Sequence, residues 1–219
     1  MDTTHAEARP SKAALEVVMG GSLAEGIVGT GGMALAILGL AGVYPGLMLS
    51  VSTIAVGAAL LFEGGAVASR LSHLMAATQG RMETEIGSGV TAEFIGGLTG
   101  LALGILSLLG VLSSTLIPIA AIIYGGSLIM GAGVTSRINA FAISRSTESE
   151  GFRQIAHEAP SAASGVQILI GLAAITLGIL ALVNISPLTL SLVAMLAVGF
   201  ADLLTGTTIS SRIIGIFRR

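Results

Sequence analysis

The chain has 219 residues, of which 53% are hydrophobic and only 10% are charged, and its mean hydropathy is +0.94. A soluble domain carries about 25% charged residues because its surface faces water, so this composition excludes an ordinary soluble globule and indicates a membrane protein. The formal net charge of −2 predicts no nucleic-acid partner. The absence of cysteine excludes disulfides, thiolate metal sites and thiol catalysis.

The N-terminal tail, residues 1–22, is interpreted as cytoplasmic rather than as a secretory signal, because no small-residue cleavage site follows the first apolar segment. Six apolar segments come next, each long enough to cross about 30 Å of hydrocarbon at about 1.5 Å per residue. They cover Leu23–Val43, Leu47–Ala68, Thr91–Val111, Leu116–Ser136, Gly165–Val183 and Leu188–Ser210. Short uncharged turns join successive pairs, which predicts three helical hairpins.

A recurring tripeptide closes each pair of segments and marks an internal repeat. Ser69-Arg70-Leu71 returns as Ser136-Arg137-Ile138 and as Ser211-Arg212-Ile213. Adding a nearly constant number to the residue positions of the first copy also aligns further glycines and prolines of the three copies. For example, Pro45 aligns with Pro187. A period of about 70 residues predicts that one two-helix unit was triplicated. We therefore predict an all-α integral membrane protein with six transmembrane helices, arranged as three tandem hairpin repeats over residues 23–70, 91–137 and 164–213.

The charged residues predict the orientation in the membrane. All ten lysines and arginines lie in the tails or at the ends of the hairpins away from the turns, with Arg70, Arg137 and Arg212 closing the three repeats. Because an even number of spans places these regions on one face, the positive-inside rule makes that face cytoplasmic. Both termini are then cytoplasmic, and we expect a multi-pass protein of a cell inner membrane.

Two linkers, residues 71–90 and 138–163, and a basic C-terminus, residues 214–219, complete the cytoplasmic face. The linkers mix glutamates with arginines. We expect them to form short interfacial or cytoplasmic helices of their own.

Glycine is abundant, at 31 residues, and it recurs one helical turn apart. The third segment carries Gly96, Gly100 and Gly104, and the even-numbered segments carry Gly64, Gly131 and Gly206. Small residues at this spacing allow helices to approach closely in lipid. The stripes either pack the hairpins within one chain, or one of them faces outward and drives self-association into a homo-oligomer.

Four acidic residues fall within the apolar segments, where ionisable side chains are expensive and are functional candidates. Glu25 and Glu93 are equivalent in the repeat, and Gln167 takes their place in the third copy. Because they lie near the starts of their segments, they are predicted to be structural, as helix caps or interhelical hydrogen bonds.

Glu63 and Asp202 lie deeper in their segments. The repeat equivalents of Glu63 are Met130 and Thr205, and those of Asp202 are Leu60 and Ser127, so neither charge belongs to the ancestral hairpin. Each acid is either satisfied by an interhelical contact, including an arginine that reaches in, or available to handle protons or cations. These two residues are the best candidates for a proton or cation site.

Enzymatic activity, a metal and a cofactor have no positive support. The three histidines lie in tails or linkers, and the chain has no phosphate-binding loop, nucleophile elbow or zinc-protease motif.

Two functions remain open. The first is a non-enzymatic structural protein of the bilayer: a self-associating scaffold or an accessory subunit of a larger membrane complex. The alternative is a small proton or cation channel or transporter that uses the intramembrane carboxylates.

Overall fold

The computed structural model describes the backbone of residues 12–76, 83–144 and 150–217, and the side chains of residues 24, 26–65, 92–133 and 164–205. Within these ranges the chain is entirely α-helical apart from three four-residue turns. The six helices are α1 (Lys12–Leu40), α2 (Pro45–Ala76), α3 (Glu83–Leu108), α4 (Ser113–Ser144), α5 (Glu150–Leu182) and α6 (Pro187–Phe217).

The three turns share one backbone conformation. In the first, Gly42 has a φ of 87°, and its N–H donates to Gly39 O at 3.0 Å while Val43 N–H donates to Leu38 O at 3.0 Å. This pair of hydrogen bonds is the Schellman motif, in which a left-handed residue ends a helix and satisfies its last carbonyls. The same left-handed cap ends α3 and α5, on Gly110 and Asn184. Each hairpin is therefore antiparallel, with its turn sealed by its own backbone.

The helices are arranged as a closed ring. Each helix packs against the helices before and after it in the chain, and α6 packs against α1. The helices α2, α4 and α6 also contact one another, so they form the inner layer and α1, α3 and α5 the outer one. The largest buried side chains lie on the inner helices, among them Leu60, Val56, Ile117, Tyr124, Leu128, Leu192, Met195 and Val198.

Three pairs of glycines mark the contacts between one hairpin and the next. Cβ atoms built on Gly97, Gly171 and Gly199 would lie 2.8, 2.6 and 3.1 Å from carbonyl oxygens of the facing helix. Those oxygens belong to Gly57, Gly125 and Gly29, respectively. At each crossing the two backbones touch directly, which requires that neither residue has a side chain.

The prediction that the linkers form separate short helices is wrong within the described residues. The helix α2 continues through Ala76 and α3 begins at Glu83, while α4 continues through Ser144 and α5 begins at Glu150. Residues 66–76 contain neither proline nor glycine, so nothing stops α2 where the apolar segment ends. Most of each linker therefore extends a long helix. Part of the predicted N-terminal tail is likewise helical, since α1 begins at Lys12.

Four helices are long and apolar enough, within the described residues, to cross a membrane. The stretches are Pro45–Gly65, Ser113–Gly133, Ser164–Leu182 and Pro187–Thr205. The helices α1 and α3 carry shorter described apolar stretches, Gly26–Leu40 and Ala92–Leu108.

Two adjacent glycines of α4 provide a matched test of the packing. A Cβ on Gly125 would collide with Gly171 O of α5, whereas a Cβ on Gly126 would meet nothing within 4 Å. Gly125→Ala should therefore lower the free energy of unfolding by about 1–3 kcal/mol, and Gly126→Ala should keep or raise it, by up to about 1 kcal/mol, because alanine favours a helix more than glycine does. Reversible unfolding in mixed micelles measures both values. Equal stability of the two variants would contradict the described α4–α5 contact.

Candidate functional site

Three acidic side chains are buried in the interior of the bundle. Glu63 of α2 and Glu93 of α3 are each 2% exposed, and Asp202 of α6 is 0% exposed. All three lie well away from the turns: the axial distance from Pro45, where α2 leaves its turn, to Glu63 is about 27 Å. We call Glu63, Glu93 and Asp202 the acid cluster.

Glu63 lies where α2, α5 and α6 meet. The Gln167 side chain of α5 donates from Nε2 to Glu63 Oε1 at 3.4 Å, and the Thr205 side chain of α6 lies within hydrogen-bond reach of the same carboxyl group. The other oxygen, Oε2, is buried and has no hydrogen-bond partner among the described residues. Glu63 is thus held by polar groups on one side only.

Asp202 has no polar partner at all within the described part of the chain. Both of its carboxyl oxygens are buried without a hydrogen bond. Its position is determined by the closing contact of the ring, because a Cβ on Gly29 of α1 would lie 2.9 Å from the Asp202 Cβ.

Glu93 points from α3 toward α4. Its carboxyl group occupies the space that a side chain at Gly131 would need, and its Oε1 atom has no hydrogen-bond partner in the described region. The lack of a side chain at Gly131 therefore creates the room in which this carboxyl group sits.

The described interior contains no compensating positive charge. Residues 24–65, 92–133 and 164–205 include no lysine, arginine or histidine, while Glu63 lies close enough to Glu93 and to Asp202 for their charges to repel. An uncompensated buried carboxylate costs several kcal/mol, and no cationic side chain among the described residues neutralises the acid cluster. No group of three acidic or histidine side chains among the described residues converges closely enough to hold a metal ion.

The capping interpretation of Glu25 and Glu93 is wrong. Because α1 begins at Lys12 and α3 at Glu83, both glutamates lie several turns inside their helices and cannot cap them. Glu93 instead faces α4. The side chain of Glu25 lies outside the described residues. Asp202 lies halfway along α6, fifteen residues from Pro187 and fifteen from Phe217, which agrees with its predicted place near the middle of the sixth segment.

The glycines singled out in the sequence face neighbouring helices. On α3, Gly96 lies against Ser127 and Gly100 lies against the ring of Tyr124, both on α4. Gly104 of α3 lies against Ile54 of α2, and Gly64 of α2 lies against the backbone of Phe94. All four are buried, so the alternative in which the α3 stripe faces outward does not describe this chain. Gly206, Arg70, Arg137 and Arg212 lie in helical backbone, and their surroundings are outside the described residues.

Two residues of this region escaped the sequence analysis. Gln167 entered it only as the neutral replacement of Glu25 and Glu93, yet it is 7% exposed and binds Glu63. Tyr124 is fully buried, and its hydroxyl donates to Thr53 O of α2 at 2.7 Å. The available signal was their polarity within apolar segments, since a buried amide or phenol needs a partner.

Comparison with protein-family models, with curated proteins and with solved structures found no match. The geometry of the acid cluster is therefore the basis for a functional proposal.

The contact between Glu93 and Gly131 predicts an energetic coupling. Gly131→Ala should displace the Glu93 carboxyl group and lower the free energy of unfolding by about 1–3 kcal/mol. Gly133→Ala is the control, since a Cβ there meets nothing within 4 Å. In the Glu93→Ala background the cost of Gly131→Ala should largely disappear. A double-mutant cycle on unfolding free energies measures this coupling, and strictly additive effects would show that the two residues do not touch.

Proposed function

We propose that this chain is a multi-pass membrane protein that binds protons, or small cations in their place, on the acid cluster. The observation that carries the proposal is the uncompensated burial of Glu63, Glu93 and Asp202 on three different helices. Ionisable groups at membrane depth are retained mainly where they handle charge. The three buried acids support a role in handling protons or cations, and no enzymatic role is proposed.

The proposed architecture is six spans in three tandem hairpins, closed into a ring about a pseudo-threefold axis. One constant shift in residue number carries the pair Gly29 and Gly57 onto Gly97 and Gly125, and a second, about twice as long, carries it onto Gly171 and Gly199. The three left-handed turn residues are related by the same two shifts. These equivalences support one ancestral hairpin whose glycine surface packs on the next copy. The arginines at the ends remote from the turns support cytoplasmic termini in an inner membrane.

The alignment that carries Gly29 onto Gly97 also changes the equivalents assigned to the two deep acids. Leu60 and Leu128 become the counterparts of Asp202, and Gly131 becomes the counterpart of Glu63 in the second hairpin. Leu60, Leu128 and Asp202 are all 0% exposed. Two copies therefore fill the same inner position with leucine, which supports a functional rather than a packing reason for the acid in the third.

The scaffold or accessory-subunit hypothesis remains a second candidate, and the hairpin repeat still supports it. The glycine stripe of α3 no longer does, because Gly96, Gly100 and Gly104 contact α4 and α2 of the same chain. Gly100→Leu should accordingly disrupt the fold of a single chain rather than assembly alone. The apolar outer surface, including Ile27, Leu98 and Leu169, suits a lipid bilayer as the partner.

Proton binding is tested by titrating the purified protein in lipid nanodiscs against a Glu63→Gln, Glu93→Gln, Asp202→Asn triple variant. These substitutions keep the shape of the side chains and remove the titratable groups. We expect the wild-type chain to take up additional protons on acidification, and added monovalent or divalent cations to displace protons if they share the site. Superimposable titration curves for the folded wild type and the folded triple variant would refute the proposal.

A second prediction separates function from stability at Asp202. Because its counterparts are Leu60 and Leu128, Asp202→Leu should complete an apolar layer and keep or raise the free energy of unfolding, by up to a few kcal/mol, while it reduces proton uptake. Leu60→Asp is the opposite control and should be destabilising. Unfolding in mixed micelles, with proton uptake measured in parallel, provides both readouts. A strongly destabilised Asp202→Leu chain would show that the acid has a structural role.

A further inference from the structure

We infer that the acid cluster exchanges protons with the arginine-bearing end of the bundle only, and that the apolar core between the cluster and the turns blocks passage to the opposite face. This inference rests on the proposed function and adds to it a direction of access. The protein would then load protons from one side without conducting them, and would respond to the pH of that side.

The position of the cluster along the helices is asymmetric. Along the axis of α2, Glu63 is about 10 Å from Arg70, the next cationic residue in the sequence, and about 27 Å from Pro45 at the turn. Asp202 has the same bias, since Arg212 is about 15 Å along α6 and Pro187 about 22 Å. Along both helices the acids therefore lie closer to the arginine end than to the turns.

The longer path is filled by close-packed apolar side chains of the inner helices. Directly beyond the cluster, Val56, Tyr124 and Val198 are each 0% exposed. Nearer the turns, Leu49 and Ile117 are 5% and 1% exposed, with Met195 and Leu192 also in the same core. Interiors packed in this way leave no room for a chain of water molecules.

The hydroxyl groups along this path already donate hydrogen bonds to backbone carbonyl oxygens. Tyr124 donates to Thr53 O at 2.7 Å, Thr53 donates to Leu49 O at 2.8 Å, and Ser52 donates to Gly32 O at 2.8 Å. A hydroxyl whose hydrogen is held by a carbonyl does not pass a proton onward without breaking that bond. Ser191 is the exception, since its hydroxyl has no partner in the described region, but it lies near the turns and far from Asp202.

The turn face carries almost no ionisable side chains. Residues 41–48, 109–116 and 183–190 include no ionisable side chain other than Tyr44. Large apolar side chains are exposed there, notably Leu109 at 73% and Leu112 at 68%. The turn backbones are also hydrogen-bonded within themselves.

The titratable side chains that surround this site come from several helices. Asp202 of α6 faces Glu63 of α2, while Glu93 is provided by α3 and the Tyr124 phenol by α4. The contribution of α5 is Gln167, which does not titrate. On α1, Glu25 lies at the same level as Glu93 in the repeat, and its side chain is outside the described residues.

Carbodiimide labelling under separately controlled pH on the two membrane faces tests the inference. A membrane-permeant carbodiimide reacts with buried protonated carboxyl groups, and mass spectrometry assigns the adduct to Glu63 or Asp202. Right-side-out and inside-out vesicles from cells that express the full chain allow each face to be acidified alone. Since the chain has no cysteine, Ser114→Cys with an impermeant maleimide identifies the turn face.

We expect labelling to rise several-fold when the arginine face is brought from alkaline to acidic pH, and to stay constant when the same change is made at the turn face. A rise from the turn face, or from both faces, overturns the inference and leaves the proposed proton binding intact. Labelling that follows the pH of neither face overturns both. The Asp202→Asn and Glu63→Gln variants, each of which loses only its own adduct, establish that the signal is specific.

Proton flux provides an independent measurement on the unmodified chain. Potassium-loaded proteoliposomes with valinomycin should show no more proton entry than vesicles of lipid alone. Flux that is present in the wild type and lost in Asp202→Asn would show that the apolar core opens, and would overturn the inference.

Discussion

The close approach of helix backbones at three glycine pairs is the constraint on which the rest of this structure depends. In a bilayer the hydrophobic effect does not press apolar helices together, so stability must come from close van der Waals contact. Gly57 against Gly97 and Gly125 against Gly171 join consecutive hairpins, but Gly29 against Gly199 has a further consequence. That third contact joins the two ends of the chain and closes the ring.

Ring closure also explains why acids that are far apart in the sequence share one interior. With α6 held against α1, Asp202 comes within reach of Glu63 on α2, and Gln167 of α5 bonds to the same glutamate. The apolar core makes an uncompensated charge there expensive. The proton or cation binding that we propose would therefore be linked to the packing of the bundle, because neutralising the acid cluster removes a repulsion between helices.

Much of the fold could be predicted from sequence because it depends on local chemistry. Pro45 and Gly42 mark the first hairpin turn, and the apolar lengths mark the helices. The extent of α2 was underestimated, since a helix continues past Arg70 as long as no residue breaks it. Tertiary contacts were beyond the sequence: spacing alone gives the same small-residue stripe whether Gly100 faces lipid or the ring of Tyr124.

The acidic residues of the site could be predicted from the sequence, but their arrangement in space could not. Glu63 and Asp202 stand out as acids in apolar segments, but their proximity depends on the α6–α1 contact. Glu93 was misassigned because the start of α3 was placed too late, which made a buried side chain look like a helix cap. Gln167 was overlooked as a partner because its role is visible only once α5 lies beside α2 and α6.

We propose that protons or small cations, and not an arginine from the helix ends, neutralise the acid cluster. Infrared spectroscopy of the protein in lipid bilayers at neutral pH and low cation concentration distinguishes the two. We expect a carbonyl stretching band of a protonated carboxylic acid that disappears in Asp202→Asn. A spectrum with only ionised carboxylate bands, unchanged on removal of cations and altered by substitution of Arg212, would contradict it.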